Sequence, residues 1–150
     1  MKAISLWQPW ASLMACGQKH FETRSWPTRW RGELAICASK KVVKELGDLE
    51  ATFRFLVRHK YCPPISLMPT GCVVAVVNVV DCVSTNDFAG SYINSHRLVE
   101  GEYVCGDYSP DRFAWITRGV RKLAKPVPVV GRQQMFNLPP EVEAQVRAQL

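Results

Sequence analysis

Four of the five tryptophans of this chain lie between positions 7 and 30, interleaved with cationic side chains. The cluster contains Trp7, Trp10, Trp26 and Trp30 together with Lys19, Arg24, Arg29, Arg31 and a single carboxylate, Glu22. Flat aromatic faces beside guanidinium and ammonium groups suit a ligand that is both planar and anionic, and a nucleotide is both. The structural alternative is a core of tryptophans with a solvated rim of cations. The embedded lysine and glutamate favour a binding site.

Strand alternation predicts how the charged residues of this cluster are arranged. After a turn at Gly17, an extended strand would point Glu22, Arg24 and Trp26 to one side. Glu22 and Arg24 would then be about 7 Å apart along the strand, close enough to form a structural ion pair. In the functional interpretation, Glu22 accepts a hydrogen bond from a base amino group or from Lys19, and Arg24 binds a phosphate or carbonyl oxygen. Trp26 would serve as a stacking platform.

The first predicted helix supplies the other wall of the expected pocket. Pro9 suits the first helical position and Gly17 suits the end of the helix. Backbone N–H groups at a helix start favour an anion, and here they are flanked by Trp7, Gln8 and Trp10. We therefore expect Lys19, Glu22, Arg24 and Trp26 to line one concave pocket with the helix start. Further candidate ligand-binding residues are Lys40, Arg132, Gln133 and Gln134.

Composition predicts one domain with a basic surface. The chain has 150 residues, a net charge of +6 and 47% hydrophobic residues, which is enough for one hydrophobic core. The segment 17–44 holds seven Lys or Arg residues against two acids, and 112–132 holds six against none. The segment 81–111 has the opposite balance, with six acids and one arginine. Such a distribution can present a basic face to a polyanion.

The six cysteines indicate a reduced, cytoplasmic protein without a bound metal. No two of them form a CxxC pair, and none has the Cys/His spacing of a zinc site. No carboxylate or histidine cluster suggests metal catalysis, and no cofactor is expected. No apolar run approaches the roughly 20 residues of a membrane span.

Hydrophobic patterning predicts the elements that must position these residues. Strands are expected at 3–6, 21–26, 32–38, 72–83, 113–117 and 125–130, the valine-rich fourth being central and the proline-containing sixth at an edge. A long helix is expected from Ser39 to about Tyr61, and a terminal helix begins at Pro139–Pro140. Residues 86–111 are expected to wrap the outside. The pattern indicates an α+β domain built on a small, partly closed barrel.

Five blocks of this sequence, in order, resemble the activating-signal-cointegrator homology (ASCH) family. They are LWQPWA at 6–11, Gly17-x-Lys19-x-x-Glu22-x-Arg24, RGELAI at 31–36 with Ala38-Ser39-Lys40, the strand from Gly71 with Phe113-Ala114-Trp115, and PVPVVGRQQ at 126–134. The resemblance covers most of residues 1–150. It implies a PUA-like mixed β-barrel of five to six strands with flanking helices. It also implies a nucleic-acid-related domain with a cleft beside the barrel.

The resemblance leaves two classes of function open. As a binding module, the domain would recognise RNA, single-stranded nucleic acid or a nucleotide without chemistry. As an enzyme, it would use Lys19 and Glu22 as an acid/base pair, because some similar proteins remove the acetyl group from N4-acetylcytidine and others are ribonucleases. Where the amidohydrolases have a threonine, this chain has Glu22, and where many relatives have a histidine it has Cys37.

Overall fold

A single mixed sheet of six strands forms the centre of the protein, described by a computed structural model over residues 1–87 and 102–150. The strands are β1 (Lys2–Gln8), β2 (Phe21–Arg24), β3 (Gly32–Val42), β4 (Cys72–Ser84), β5 (Phe113–Pro128) and β6 (Met135–Asn137), in the order β2-β5-β4-β3-β1-β6. β1 and β3 run parallel, and the other neighbours are antiparallel. In the described part of the chain, three α-helices flank the sheet: α1 (Trp10–Ala15), α2 (Leu49–Arg58) and α3 (Pro140–Arg147). This confirms the predicted α+β, PUA-like class.

β4 is the central strand that its valine run predicted. Val74 and Val77 face one core cluster, which α1 covers with Ala11 and Met14. Val73 and Val76 face a second cluster on the other side, which α3 covers with residues such as Val146. The first six residues of β4 are all buried, so both faces of that part of the strand exclude polar side chains, which explains its run of valines.

The prediction of a helix from Ser39 to Tyr61 is wrong. β3 continues through Ser39 to Val42, and α2 begins only at Leu49. Gly47 has a φ of +52°, a left-handed conformation that interrupts a right-handed helix. The β-branched pair at 42–43 also favours strand, and Val42 pairs with Gln8 of β1. The apolar stripe belongs to the helix only from Leu49 onward.

The two strands predicted at 113–117 and 125–130 are one strand, β5. Gly119 adopts a φ of +61° within it, and three register shifts against β4 absorb its irregularity. β2 pairs only with Phe113–Ile116, so the rest of β5 has a strand on one side alone among the described residues. Prolines 126 and 128 therefore lie in an edge-like stretch, as expected from their missing N–H groups.

Part of the polar stretch at 86–111 is buried, although its composition predicted that it would wrap the outside. Residues 88–101 lie outside the described part of the chain. A short 3-10 turn at Tyr103–Cys105 follows, and both Glu102 and Cys105 are buried. The terminal helix begins at Pro140 as predicted and buries Val142 and Val146, whereas Leu150 lies beyond its end and is exposed.

Candidate functional site

β1 and β2 meet where the sheet curls back on itself, and we call this junction the seam. No hydrogen-bonded ladder joins the two strands in the described residues. Instead, the Arg24 guanidinium Nη2 donates to the backbone oxygen of Ser5 at 3.1 Å. The Glu22 carboxylate holds the same guanidinium, with 3.0 Å between Oε1 and Nε. The strand alternation that put Glu22 and Arg24 on one face is confirmed.

Lys19 lies behind this pair rather than in an open cleft. Its side chain is buried, and its ammonium donates to the backbone oxygen of Phe21 and stands 3.7 Å from Glu22 Oε2. Glu22 therefore bridges two cations, one enclosed and one partly exposed. The expectation that Lys19 reaches into a cleft directly is wrong, because the turn at Gly17 folds the side chain inward.

A small pocket of about 230 Å³ opens at the seam. Glu22 and Arg24 form its polar wall, and Trp7 and Trp10 form its aromatic wall. This is the predicted arrangement of the charged strand beside the helix start. Val43 closes the side of the pocket next to the end of β3.

A larger cleft of about 560 Å³ adjoins the seam pocket and shares Ser5, Trp7 and Arg24 with it. The cationic side chains lining this basic cleft are Arg24, Lys40, Lys41 and Arg132, and no carboxylate of the described residues lines it. Gln133 and Gln134 add amide groups to the wall. The cleft thus brings together Trp7, Arg24, Lys40, Arg132 and Gln133 from the predicted site.

An irregularity in the β1–β3 ladder places the two lysines opposite Trp7. Leu6 pairs with Ala38 and Gln8 pairs with Val42, so β3 advances four residues while β1 advances two. The extra residues form a bulge, which is exposed from Lys40 onward. The Lys41 ammonium lies 5.3 Å from the centroid of the Trp7 ring, within cation–π range. The Trp7 side chain is itself 52% exposed.

Three residues predicted to bind ligand have structural contacts instead. Trp26 follows the end of β2 and packs edge-on against Trp115, with ring centroids 4.6 Å apart. It lines neither the seam pocket nor the basic cleft. Gln8 is fully buried and binds the Ser12 hydroxyl and the backbone oxygen of Pro69. Pro9 is buried and caps α1, which begins at Trp10.

Glu102 holds the start of β2 in place, a role that the sequence did not predict. Its buried carboxylate accepts the backbone N–H of His20 at 2.7 Å and that of Phe21 at 3.0 Å. These bonds fix the start of β2 and therefore the residues that follow it. Since the contact spans 82 positions, no local pattern could reveal it. Burial, followed by the charge of Glu102, raises the pKa of the nearby Tyr108 hydroxyl, so this group stays protonated.

The chain matches a known protein family over most of its length. The ASCH domain family model matches residues 4–127, which include all but the first two residues of β1, the whole of β2, β3 and β4, and all but the last residue of β5. The chain belongs to the ASCH domain family. "Activating signal cointegrator 1" of mouse and of human are each 30% identical over 137 residues. This ASCH chain spans about a fifth of their length, 22%, while 90% of it is aligned.

A solved ASCH structure confirms the fold. The crystal structure of ASCH from Zymomonas mobilis superimposes with a TM-score of 0.59 at 16% identity, covering 98% of this chain and 93% of that chain. In the described part of this ASCH domain, no three His, Cys, Asp or Glu side chains are grouped to hold a metal ion. None of its described helices has the length and apolar character to cross a membrane.

Proposed function

We propose that this ASCH domain binds single-stranded RNA or DNA, with a base against Trp7 and the phosphates along the basic cleft. The observation that carries the proposal is the lining of that cleft, to which residues 1–87 and 102–150 contribute four cations, no carboxylate and an exposed indole. Phosphate oxygens pair with such cations, and a base stacks on the indole regardless of its sequence. Membership of the ASCH family supports this nucleic-acid-related role.

The seam pocket would receive the base that the basic cleft presents. At about 230 Å³ it adjoins Trp7, and Glu22 and Arg24 stand at its polar wall. Both Glu22 oxygens already face cations, so the carboxylate would accept a base amino group as a further bond. Ser5 lines both cavities, and its buried hydroxyl oxygen has no hydrogen-bond partner among the described residues.

Oligonucleotide titrations at several salt concentrations test this proposal. Each phosphate contact contributes about −0.7 to the slope of log affinity against log salt for single strands. We expect Lys40→Gln/Arg132→Gln to reduce the slope by about 1.4. We expect Trp7→Ala to weaken binding about tenfold, since stacking is worth roughly 1–3 kcal/mol per base.

Trp30→Ala is the matched control for the indole. Trp30 is 36% exposed, and its Nε1 donates to the backbone oxygen of Glu33 away from the cleft. This variant should bind as the wild type does. Equal affinity of Trp7→Ala and Trp30→Ala, or affinity that does not change with salt, would overturn the proposal.

A hydrolytic role is the second candidate, favoured by the Lys19–Glu22–Arg24 row beside the seam pocket. A carboxylate that lines a pocket can act as a general base on a bound water, and here two cations hold it in place. The substrate would be an acylated nucleoside or a phosphodiester. Glu22→Gln should then abolish turnover while binding persists, as followed by mass spectrometry of N4-acetylcytidine and of RNA. Unchanged turnover in this variant would remove Glu22 from catalysis.

A further inference from the structure

We propose that a row of three exposed rings at the end of α2 forms a second contact surface for single-stranded nucleic acid. The aromatic row consists of Phe55, His59 and Tyr61. None of these residues lines the seam pocket or the basic cleft. The proposal shares the class of ligand proposed above but uses none of the cleft residues.

The three rings contact one another rather than standing singly on the surface. The Phe55 and His59 ring centroids are 4.3 Å apart with planes tilted by 39°, and those of His59 and Tyr61 are 6.4 Å apart at 26°. Phe55 is 54% exposed and Tyr61 is 52% exposed. Single exposed apolar side chains are ordinary, but contiguous ones mark interaction sites.

An unusual backbone conformation holds Tyr61 in the row. The helix ends in a Schellman motif, in which the Lys60 N–H donates to the Val57 carbonyl and the Tyr61 N–H donates to the Leu56 carbonyl. Lys60 therefore takes a left-handed φ of 62°, a position where glycine or asparagine is common. The next side chain, Cys62, is buried, so the turn is anchored on both sides. The row is pre-organised, which lowers the entropic cost of binding.

Charge around the row matches a polyanion. Residues 51–61 contain Arg54, Arg58 and Lys60 and no acidic residue. Arg54 pairs with Glu50, whereas Arg58 and Lys60 enter no ion pair among the described residues. Flat rings beside such cations suit stacked bases and their phosphates, the combination that single-strand-binding proteins use. This favours nucleic acid over an apolar protein segment.

The helix that carries the row and the wall of the seam pocket pack on the same core cluster. The buried face of α2 presents Phe53 and Leu56 to a core cluster that also contacts Trp10. Trp10 in turn lines the seam pocket. The rings of the row are exposed and line neither cavity, so the two surfaces can contact separate parts of one strand. Joint contact would raise the affinity for long oligonucleotides through effective concentration.

Fluorescence anisotropy with a labelled 20-nucleotide single-stranded RNA tests the proposal in the full chain. We expect Phe55→Ala/Tyr61→Ala to bind this RNA about tenfold or more weakly than the wild type, from the loss of stacked bases. Leu67→Ala, which truncates another exposed apolar side chain (72% exposed), should have no effect. If the double variant binds the RNA as tightly as Leu67→Ala does, the proposal is overturned.

A second variant leaves the rings intact and tests the charges. Arg58→Gln/Lys60→Gly keeps the helix end, since glycine adopts the left-handed conformation without penalty. We expect the salt slope of RNA binding to fall by about 1.4. An unchanged slope would contradict the proposal even if the ring variant failed to fold.

The same variants separate this proposal from the cleft proposal and from a protein interface. If only Trp7→Ala loses affinity for RNA, the cleft proposal is supported and the proposal for the aromatic row is overturned. If only the ring variant loses affinity, the row proposal is supported and the cleft proposal is overturned. Sedimentation velocity covers the remaining case. In that case the wild type self-associates, the ring variant is monomeric, and the two proteins bind RNA equally. Such a result would show that the row is a contact between copies of the chain, and it would overturn the nucleic-acid proposal.

Discussion

Gly131 leaves just enough room for the hydroxyl of Ser5, because a β-carbon at position 131 would stand 2.7 Å from Ser5 Oγ. Both residues line the basic cleft, Ser5 from β1 and Gly131 from the segment that follows β5. The glycine is therefore required by space, since its Cβ would meet a side chain from another strand. A substitution there must move either the 129–134 segment or Ser5.

We predict that Gly131→Ala lowers the free energy of unfolding by about 1–3 kcal/mol through overpacking. Ser5→Ala should be close to neutral, because Ser5 Oγ has no hydrogen-bond partner among the described residues. The Ser5→Ala/Gly131→Ala double variant should recover most of the loss, since the next nearest atom, Ser5 Cβ, is at 3.5 Å. Urea denaturation of the four proteins checks this. A double variant no more stable than Gly131→Ala would place the strain elsewhere.

Removal of the guanidinium at the seam should destabilise the protein. Arg24→Gln loses both the bond to the Ser5 carbonyl and the ion pair with Glu22. We expect a loss of about 1.5–3 kcal/mol, the usual range for hydrogen bonds to charged groups. Arg54→Gln is the control, since its pair with Glu50 is exposed on both sides and should contribute under about 1 kcal/mol. Thermal and urea unfolding measure both variants. If the two substitutions lower the free energy of unfolding equally, the Arg24 contacts at the seam contribute no more than an exposed ion pair does.

Replacement of Lys19 by methionine tests whether the enclosed ammonium is structural. The substitution keeps side-chain bulk but leaves the Phe21 carbonyl without its donor and Glu22 with only Arg24. Breaking a buried pair typically costs 3–5 kcal/mol, and the remaining Arg24 should reduce that to about 2–4 kcal/mol. Lys19→Met/Glu22→Gln should be more stable than the sum of its single variants predicts. Strict additivity in denaturant unfolding would show that the two residues do not interact.

Buried thiols should make the protein sensitive to alkaline pH. Burial raises the pKa of Cys37 to about 12 from 9.0 and that of Cys105 to about 11 from 9.0. Above pH 9 the unfolded chain releases these protons while the folded protein retains them, so the free energy of unfolding falls as pH rises. For Cys37 the loss is about 1.4 kcal/mol per pH unit until its folded pKa is reached.

Cys37→Ala should flatten this alkaline decline relative to the wild type, as measured by urea unfolding at successive pH values. The thiolate is the reactive form, so native Cys37 should also alkylate far more slowly at pH 8 than half-buried Cys82. Parallel stability curves for the two proteins would contradict the assignment.

Short stretches of sequence predicted those elements of the fold that depend on only a few neighbouring residues. The valine run of β4, the Pro140 helix start and the shared face of Glu22 and Arg24 are each encoded within a few residues. The β3 extension was missed because its residues favour a strand mainly through pairing with β1, and a helical stripe in the same segment competes with that signal.

The sequence predicted only some of the side-chain neighbours found around the seam pocket. Trp7, Trp10, Glu22 and Arg24 come together as the sequence indicated, whereas Trp26 turns into the core where β2 ends. Alternation holds only while a strand continues, and the sequence does not mark its last residue sharply. The roles of Ser5 and Glu102 depend on contacts distant in sequence and have no local signature.

The bulge opposite Trp7 borders the basic cleft but lies outside the buried part of the sheet. Beyond it, the Val43 N–H donates to the Gln8 carbonyl at 2.9 Å, so the ladder re-forms past the extra residues. Its exposed part, residues 40–42, carries none of the core. Under the proposed function, insertions, deletions or charge reversals in this segment would alter the wall of the basic cleft while the valine-packed sheet stays unchanged. The ligand of the cleft could then change through one short segment while the scaffold is kept.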